Sequence, residues 1–345
     1  MPATRFMSFL LAGLELAPHS PGSGRAFSWA PALLFLAAAL AFAGCASVPQ
    51  PAVPLAYVPN EGSGTISIID TAADAVVGEI KTGGKPRGIA LSRDGHLMYV
   101  SDGPTSSLKV IDVARRSVSR SLPLGKSPEG VSVSPDGRTI AIAVEESNSV
   151  TLIDAPSGSS IADIKVRGDN PEHAVFSPDG RWLYVSAENA DTVDVIDVAS
   201  RTQVAEIKVG KRPRGIAFTP DGRVAYVACE LASTVYAIDV GSRKVLAAIK
   251  AGTFSNGLAM MPDGEHVYVS NGRDPSVMAI ETASNKVVAR IEVGQRPWNM
   301  ALTPDGRKLY VANGRSNSVS VIDTSSNTKL KDIPVGSLPW GVAIR

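Results

Sequence analysis

Cysteine is almost missing from this 345-residue chain: Cys45 and Cys229 cannot supply the framework of a disulfide-stapled domain. Net charge is missing too. Lys and Arg number 34 against 33 Asp and Glu, which removes any global field toward a polyelectrolyte, so nucleic acid is not an expected partner. The sequence holds no HExxH, no CxxC, no GxSxG and no Gly-rich phosphate loop opening a helix. Without CxxCH, covalent heme attachment is excluded. Neither a metal nor a resident cofactor is expected. Beyond residue 45 only three histidines occur, His96, His173 and His266, so general-base candidates are few.

One long apolar run is present, from Ala32 to Ala43, preceded by Arg5 and Arg25 against Glu15 and closed by small residues. That is the pattern of a secretory signal, and it is short for a membrane span. The "FAGC" at Phe42–Cys45 resembles the bacterial lipobox, with Phe42 where that motif prefers Leu. The resemblance implies a lipidated Cys45 and a place on the periplasmic side of the cell envelope, tethered to the outer membrane. Ala41-Phe42-Ala43 equally fits ordinary cleavage releasing a soluble periplasmic protein from Gly44, and an uncleaved anchor is a third option. Residues 1–44 are set aside as a signal segment, with a start at Met7 or beyond as the alternative to Met1. Residues 45–54, "CASVPQPAVP", read as an extended Pro-rich tether.

The remainder, 55–345, is one sentence repeated. "ID" recurs at Asp70, Asp112, Asp154, Asp197, Asp239 and Asp323, with Glu281 in the sixth place, at spacings of 42 or, once, 43. "DG" turns keep step at Gly95, Gly137, Gly180, Gly222, Gly264 and Gly306. Each period contains four short runs rich in Val, Ile, Ala and Tyr, such as "RGIAF", "VAYVA", "TVYAID" and "KVLAAIK", which is the content of a four-stranded propeller blade. The array begins on a second strand, "LAYVPN", and ends on a first strand, "WGVAIR". An all-β, seven-bladed β-propeller of four-stranded antiparallel blades is expected, closed by a C-terminal innermost strand beside three N-terminal strands, with no open edge.

"RPRGIAFTPDGRVAYVA" and "LYVANGRSNSVSVIDTSSNTKL" resemble the YVTN-type repeats of bacterial surface and periplasmic propellers, related in shape to quinoprotein amine dehydrogenase subunits and heme d1 domains. The resemblance implies the fold over about residues 55–345. For function it implies only a range of roles, among them lactone hydrolysis, nucleic-acid binding and support of quinoprotein oxidation.

The "PDG" and "ID" loops fall on one face, where the repeated Asp94, Asp136, Asp179, Asp221, Asp263 and Asp305 read as turn makers. On the opposite face the repeats disagree. The last residue of each incoming loop, which should look into the channel mouth, is Trp340, Arg87, Glu129, Glu172, Arg214, Asn256 or Trp298 in blade order. These loops also carry Lys85, Lys126, Arg167, Lys211, Arg212 and Arg296, and the loops from second to third strand carry Glu145, Glu146, Glu188, Asp191 and Glu230. Such a mouth suits a small anionic or zwitterionic ligand, or a periplasmic partner protein. Trp298 and Trp340, on adjacent blades, are placed to stack on a ring.

Blade four departs most. "VRGDNPEHAVFSPDG" inserts one residue before Pro171 and puts His173 where other blades have Gly; Asn299 is the other replacement. His173 beside Glu172 is the catalytic candidate, a general base or a ligand-orienting donor, unless it merely fills the gap left by a longer loop. Three functions are carried forward. The first is a non-catalytic, monomeric, membrane-tethered binding scaffold. The second is a lactonase-like hydrolase with His173 as base, and the third an accessory protein of a periplasmic quinoprotein or heme dehydrogenase. Cys229, at a strand end, reads as a small buried filler.

Overall fold

The computed structural model describes residues 53–345; the signal segment, Cys45 and most of the tether lie outside the described residues. Twenty-eight strands form seven four-stranded antiparallel sheets. Blade 5 is representative: Pro213–Phe218 is innermost, followed outward by Val224–Cys229, Thr234–Asp239 and Val245–Lys250. In blade 1 the innermost strand is Ala343–Ile344, paired with Leu55–Asn60, and outside it lie Thr65–Asp70 and Ala75–Lys81. Among the described residues the single helical element is a 3-10 turn, Glu145–Ser147.

Burial explains the letters. Second and third strands are covered by a neighbouring blade on both faces, so they read as near-continuous apolar runs such as Val224–Cys229. Outer strands meet solvent and lose that character, as in the exposed Val245 and Leu246. A buried tyrosine recurs in the second strand, and in three blades its hydroxyl ties blade to blade. Tyr226 donates to Asn285 at 3.0 Å, Tyr268 to Asn327 at 2.8 Å, and Tyr310 to Asp74, which joins blade 7 to blade 1.

The "DG" turns behave as read. All six glycines have positive φ, between 69° and 77°, a region open to Gly without steric cost. Five of the preceding aspartates accept from a neighbouring Ser or Thr hydroxyl and from a backbone amide, as Asp221 does from Thr219 and from the Arg223 N–H; Asp263, beside Met261, accepts from the Glu265 N–H alone. Those hydrogen bonds hold the Asp221 carboxyl below its usual range.

Candidate functional site

A β-bulge builds the mouth. In blade 5 Pro213 pairs with Cys229 and the next registered pair is Ile216 with Val227, leaving Arg214 and Gly215 outside the ladder. The same shift follows Pro86, Pro128, Ser255 and Pro297, and blade 4 has a shorter one at Glu172. A bulge bends its strand and re-aims the side chain it carries. Six blades thereby turn the second residue of the inner strand toward the axis. Arg87, Glu129, Glu172, Arg214, Asn256, Trp298, Asn299 and Trp340 all line one cavity of about 400 Å³. The glycine after each bulge is required by close approach: a Cβ on Gly215 would sit 2.6 Å from the Asn256 carbonyl of the next blade, and one on Gly257 2.5 Å from that of Trp298.

The arginines are not left facing solvent. Arg214 pairs with Glu172, with Glu188 at 2.7 Å and with Glu230 at 3.2 Å. Arg212 reaches Glu188 at 3.1 Å, Arg296 reaches Glu230 at 3.0 Å, and Arg87 bridges Glu129 and Glu61. With Glu145 at the rim, six carboxylates face four guanidiniums. The basic excess of the incoming loops is therefore consumed, and this sector is acidic by two charges if every group is ionised.

Burial and mutual repulsion act on those carboxylates. Glu129 is 1 % exposed; burial, reinforced by Glu172, pushes its pKa to about 8 against the pull of Arg87. Glu188 is pushed to about 7 by burial and Glu172, against Arg214 and Arg212. Burial also opposes ionisation of Glu172, but the Arg214 guanidinium outweighs it and holds that carboxyl low. Arg214 itself is desolvated, yet its three carboxylates push its pKa up. Glu129 Oε2 is buried with no hydrogen-bond partner.

His173 does not line the cavity. Its imidazole stacks on Trp340 across the axis, centroids 5.8 Å apart and planes at 18°, and Trp340 in turn meets Trp298 edge-on at 6.5 Å. The side chain from blade 4 thus packs against blade 1 and fills the channel. Burial lowers its pKa despite Glu172, so the ring is neutral at pH 7. Its Nδ1 is buried without a partner, and no carboxylate orients it by a hydrogen bond. The inserted residue and altered register of blade 4, where His173 pairs directly with Ser186, accompany a side chain at a position that is Gly in five other blades and Asn299 in blade 7.

A second, adjoining cavity of about 750 Å³ is lined by Arg212, Glu230, Phe254, Arg273, Arg296, Trp298 and Arg315 among others. Here base exceeds acid. Arg273 lies 4.2 Å from the Phe254 ring centroid, and Arg296 lies 5.7 Å from that of Trp298. Among the described residues neither Arg273 nor Arg315 has a carboxylate within ion-pairing distance. Sequence reasoning missed Phe254, Arg273 and Arg315. The signal was available: "NGRDPS" and "NGRSNS" carry Gly-Arg where blades 4 and 5 have Glu188-Asn189 and Glu230-Leu231. Cys229, by contrast, is fully buried, and burial pushes its thiol to about 12, which makes it inert.

Comparison with known proteins places these features on a shared fold. Residues 198–334 match the family model of the seven-bladed β-propeller lactonases, 139–254 that of the cytochrome D1 heme domain, and 51–134 that of YNCE-like β-propellers. No curated protein matches. Among solved structures, the chain resembles a Kuenenia stuttgartiensis hydrazine synthase chain at 25% identity, with TM-score 0.72, covering 78% of this chain and 92% of that one. It resembles a functionally unknown protein from Desulfotomaculum acetoxidans at 19% identity, with TM-score 0.74 and coverage of 84% and 98%. It also resembles the dihydro-heme d1 dehydrogenase NirN in complex with DHE at 19% identity, with TM-score 0.65 and coverage of 84% and 74%. The chain is a seven-bladed, YVTN-like β-propeller related in fold to lactonase and heme d1 propellers.

Proposed function

We propose that this protein is a periplasmic binding propeller, tethered to the envelope through Cys45, that takes a small anion bearing a planar ring at its mouth. The observation that carries the reading is the pair of uncommitted guanidiniums, Arg273 and Arg315, beside Phe254 and Trp298 over the larger cavity. Arginine offers bidentate donors to a carboxylate or phosphate, and the rings offer a stacking surface. The acidic sector beside it is internally paired and preorganised, which suits recognition more than turnover.

The test is quenching of Trp298 fluorescence by 2-naphthoate, with 2-naphthalenemethanol as the neutral counterpart. The anion should bind saturably, the alcohol at least tenfold more weakly. Arg273→Ala with Arg315→Ala should cost about tenfold or more, the equivalent of ~1.4 kcal/mol. Equal binding of both compounds, or no loss in the double variant, would sink the proposal.

An accessory role in a heme dehydrogenase system is the second reading, favoured by the match of residues 139–254 to the cytochrome D1 heme domain. Lactone hydrolysis with His173 as base has the match over residues 198–334 behind it, a segment that does not contain His173. If His173→Ala retains all turnover on a lactone panel, the hydrolase reading loses its base.

A further inference from the structure

We propose that the acidic sector of the mouth holds a hard divalent cation, best fitted by calcium, between Glu145, Glu172 and Glu188. One carboxylate oxygen from each lies within 4.8 Å of the others, close enough for one cation with Ca–O bonds of about 2.4 Å to reach all three. Magnesium demands a near-ideal octahedron, which carboxylates already held by Arg214, Ser127 and Asn170 are less free to supply. The donors are all oxygen, the set that hard cations select.

Two further observations point to a ligand there. Glu129, which lines the same cavity as Glu145 and Glu172, has its Oε2 buried with no hydrogen-bond partner, on a side chain 2% exposed. Such an atom costs free energy unless something charged or protonated answers it. The second is charge: with every group ionised, six carboxylates and four guanidiniums leave two negative charges, and one divalent cation would cancel them and hold the buried carboxylates in that form. Glu145 sits at the partly exposed rim, on the 3-10 turn, leaving room for water to complete the six to eight ligands calcium takes. This inference does not depend on the anion site and is tested without any organic ligand.

The experiment is titration of the EDTA-stripped protein with CaCl2 by calorimetry, together with terbium luminescence excited at the tryptophans. Trp298 and Trp340 line the cavity, so Tb3+ bound there should show sensitised emission that calcium displaces. Calcium should bind at a single site, raise Tm by about 2 °C or more at saturating concentration, and bind at least tenfold more weakly to Glu145→Gln. In that variant the amide oxygen still accepts from Asn170 while the amide NH2 donates to the Ser127 hydroxyl, reversing that bond, and it should melt with the cation-free wild type. If Glu145→Gln does not fold, displaceable terbium emission in the wild type still decides. Absence of saturable heat and of sensitised emission up to 10 mM calcium, roughly ten times the weakest affinity of extracellular calcium modules, overturns the proposal. So does an unchanged affinity in both Glu145→Gln and Glu188→Gln.

Discussion

Replacing Glu129 by Gln should make the protein more stable, and only at neutral to alkaline pH. Burial and Glu172 raise the Glu129 pKa from 4.5 to about 8. A carboxyl whose folded pKa lies above its unfolded value contributes stability that is fully present below about pH 4.5. That stability is lost as pH rises through the folded pKa. At 1.36 kcal/mol per unit the penalty reaches about 4 kcal/mol by pH 8. Relaxation of the surroundings and shared titration with Glu172 and Glu188 bring the expected gain nearer ~2 kcal/mol. Gln keeps the acceptor for Arg87 and carries no charge to desolvate. Urea unfolding in EDTA, from pH 4.5 to 8.5, should show coincident midpoints for variant and wild type at the acid end and a separation that grows toward pH 8. A variant less stable than wild type at pH 8, or one offset equally at both ends, would show that Glu129 is ionised and well paired in the native state and refute the reasoning.

Other perturbations follow from the same geometry. Arg214→Ala strands Glu172, Glu188 and Glu230, and thermal melts should show a loss of about 3 kcal/mol at pH 8 that shrinks toward pH 5 as those carboxylates take up protons. Gly215→Ala drives a Cβ to 2.6 Å from the Asn256 carbonyl and should cost about 2 kcal/mol by chemical denaturation. Tyr310→Phe removes the hydroxyl that ties blade 7 to Asp74 of blade 1 and should lose about 1 kcal/mol in the same measurement. His173→Ala takes the stacked ring from Trp340, so the emission maximum should move to longer wavelength as water reaches the indole.

The blades were legible because the repeat is written in residues with one physical job each: Gly at positive φ, Asp bonding back to its turn, apolar runs between two neighbours. The ring of mouth residues was legible for the opposite reason, since positions that vary within a strict repeat are free of that job. What alignment could not give was partnership. Arg214 meets Glu172 of the previous blade, 42 residues back, and Glu230 of its own blade, 16 residues ahead, and nothing local in the chain joins them. Read loop by loop, the basic incoming loops and the acidic second-to-third loops stood as separate sectors, whereas the fold brings Arg212, Arg214 and Arg296 directly against Glu188 and Glu230. His173 was visible as a departure. Its direction, across the axis onto Trp340, depends on the meeting of a mid-chain strand with the C-terminal segment that closes blade 1.

The closing strand has a mechanical consequence. Ala343–Ile344 pairs with only Ala56 and Tyr57, whereas other inner strands pair with four or five residues of their neighbours. Backbone bonds between Leu55 and Arg345 and from Trp340 to Pro59 finish the seam. Such a short zipper is where the ring should breathe, and its amides should exchange with deuterium ahead of the other inner strands. Because Trp340 rides on that seam, each opening would loosen the mouth on one side, giving a bound molecule a way in and out without melting a blade.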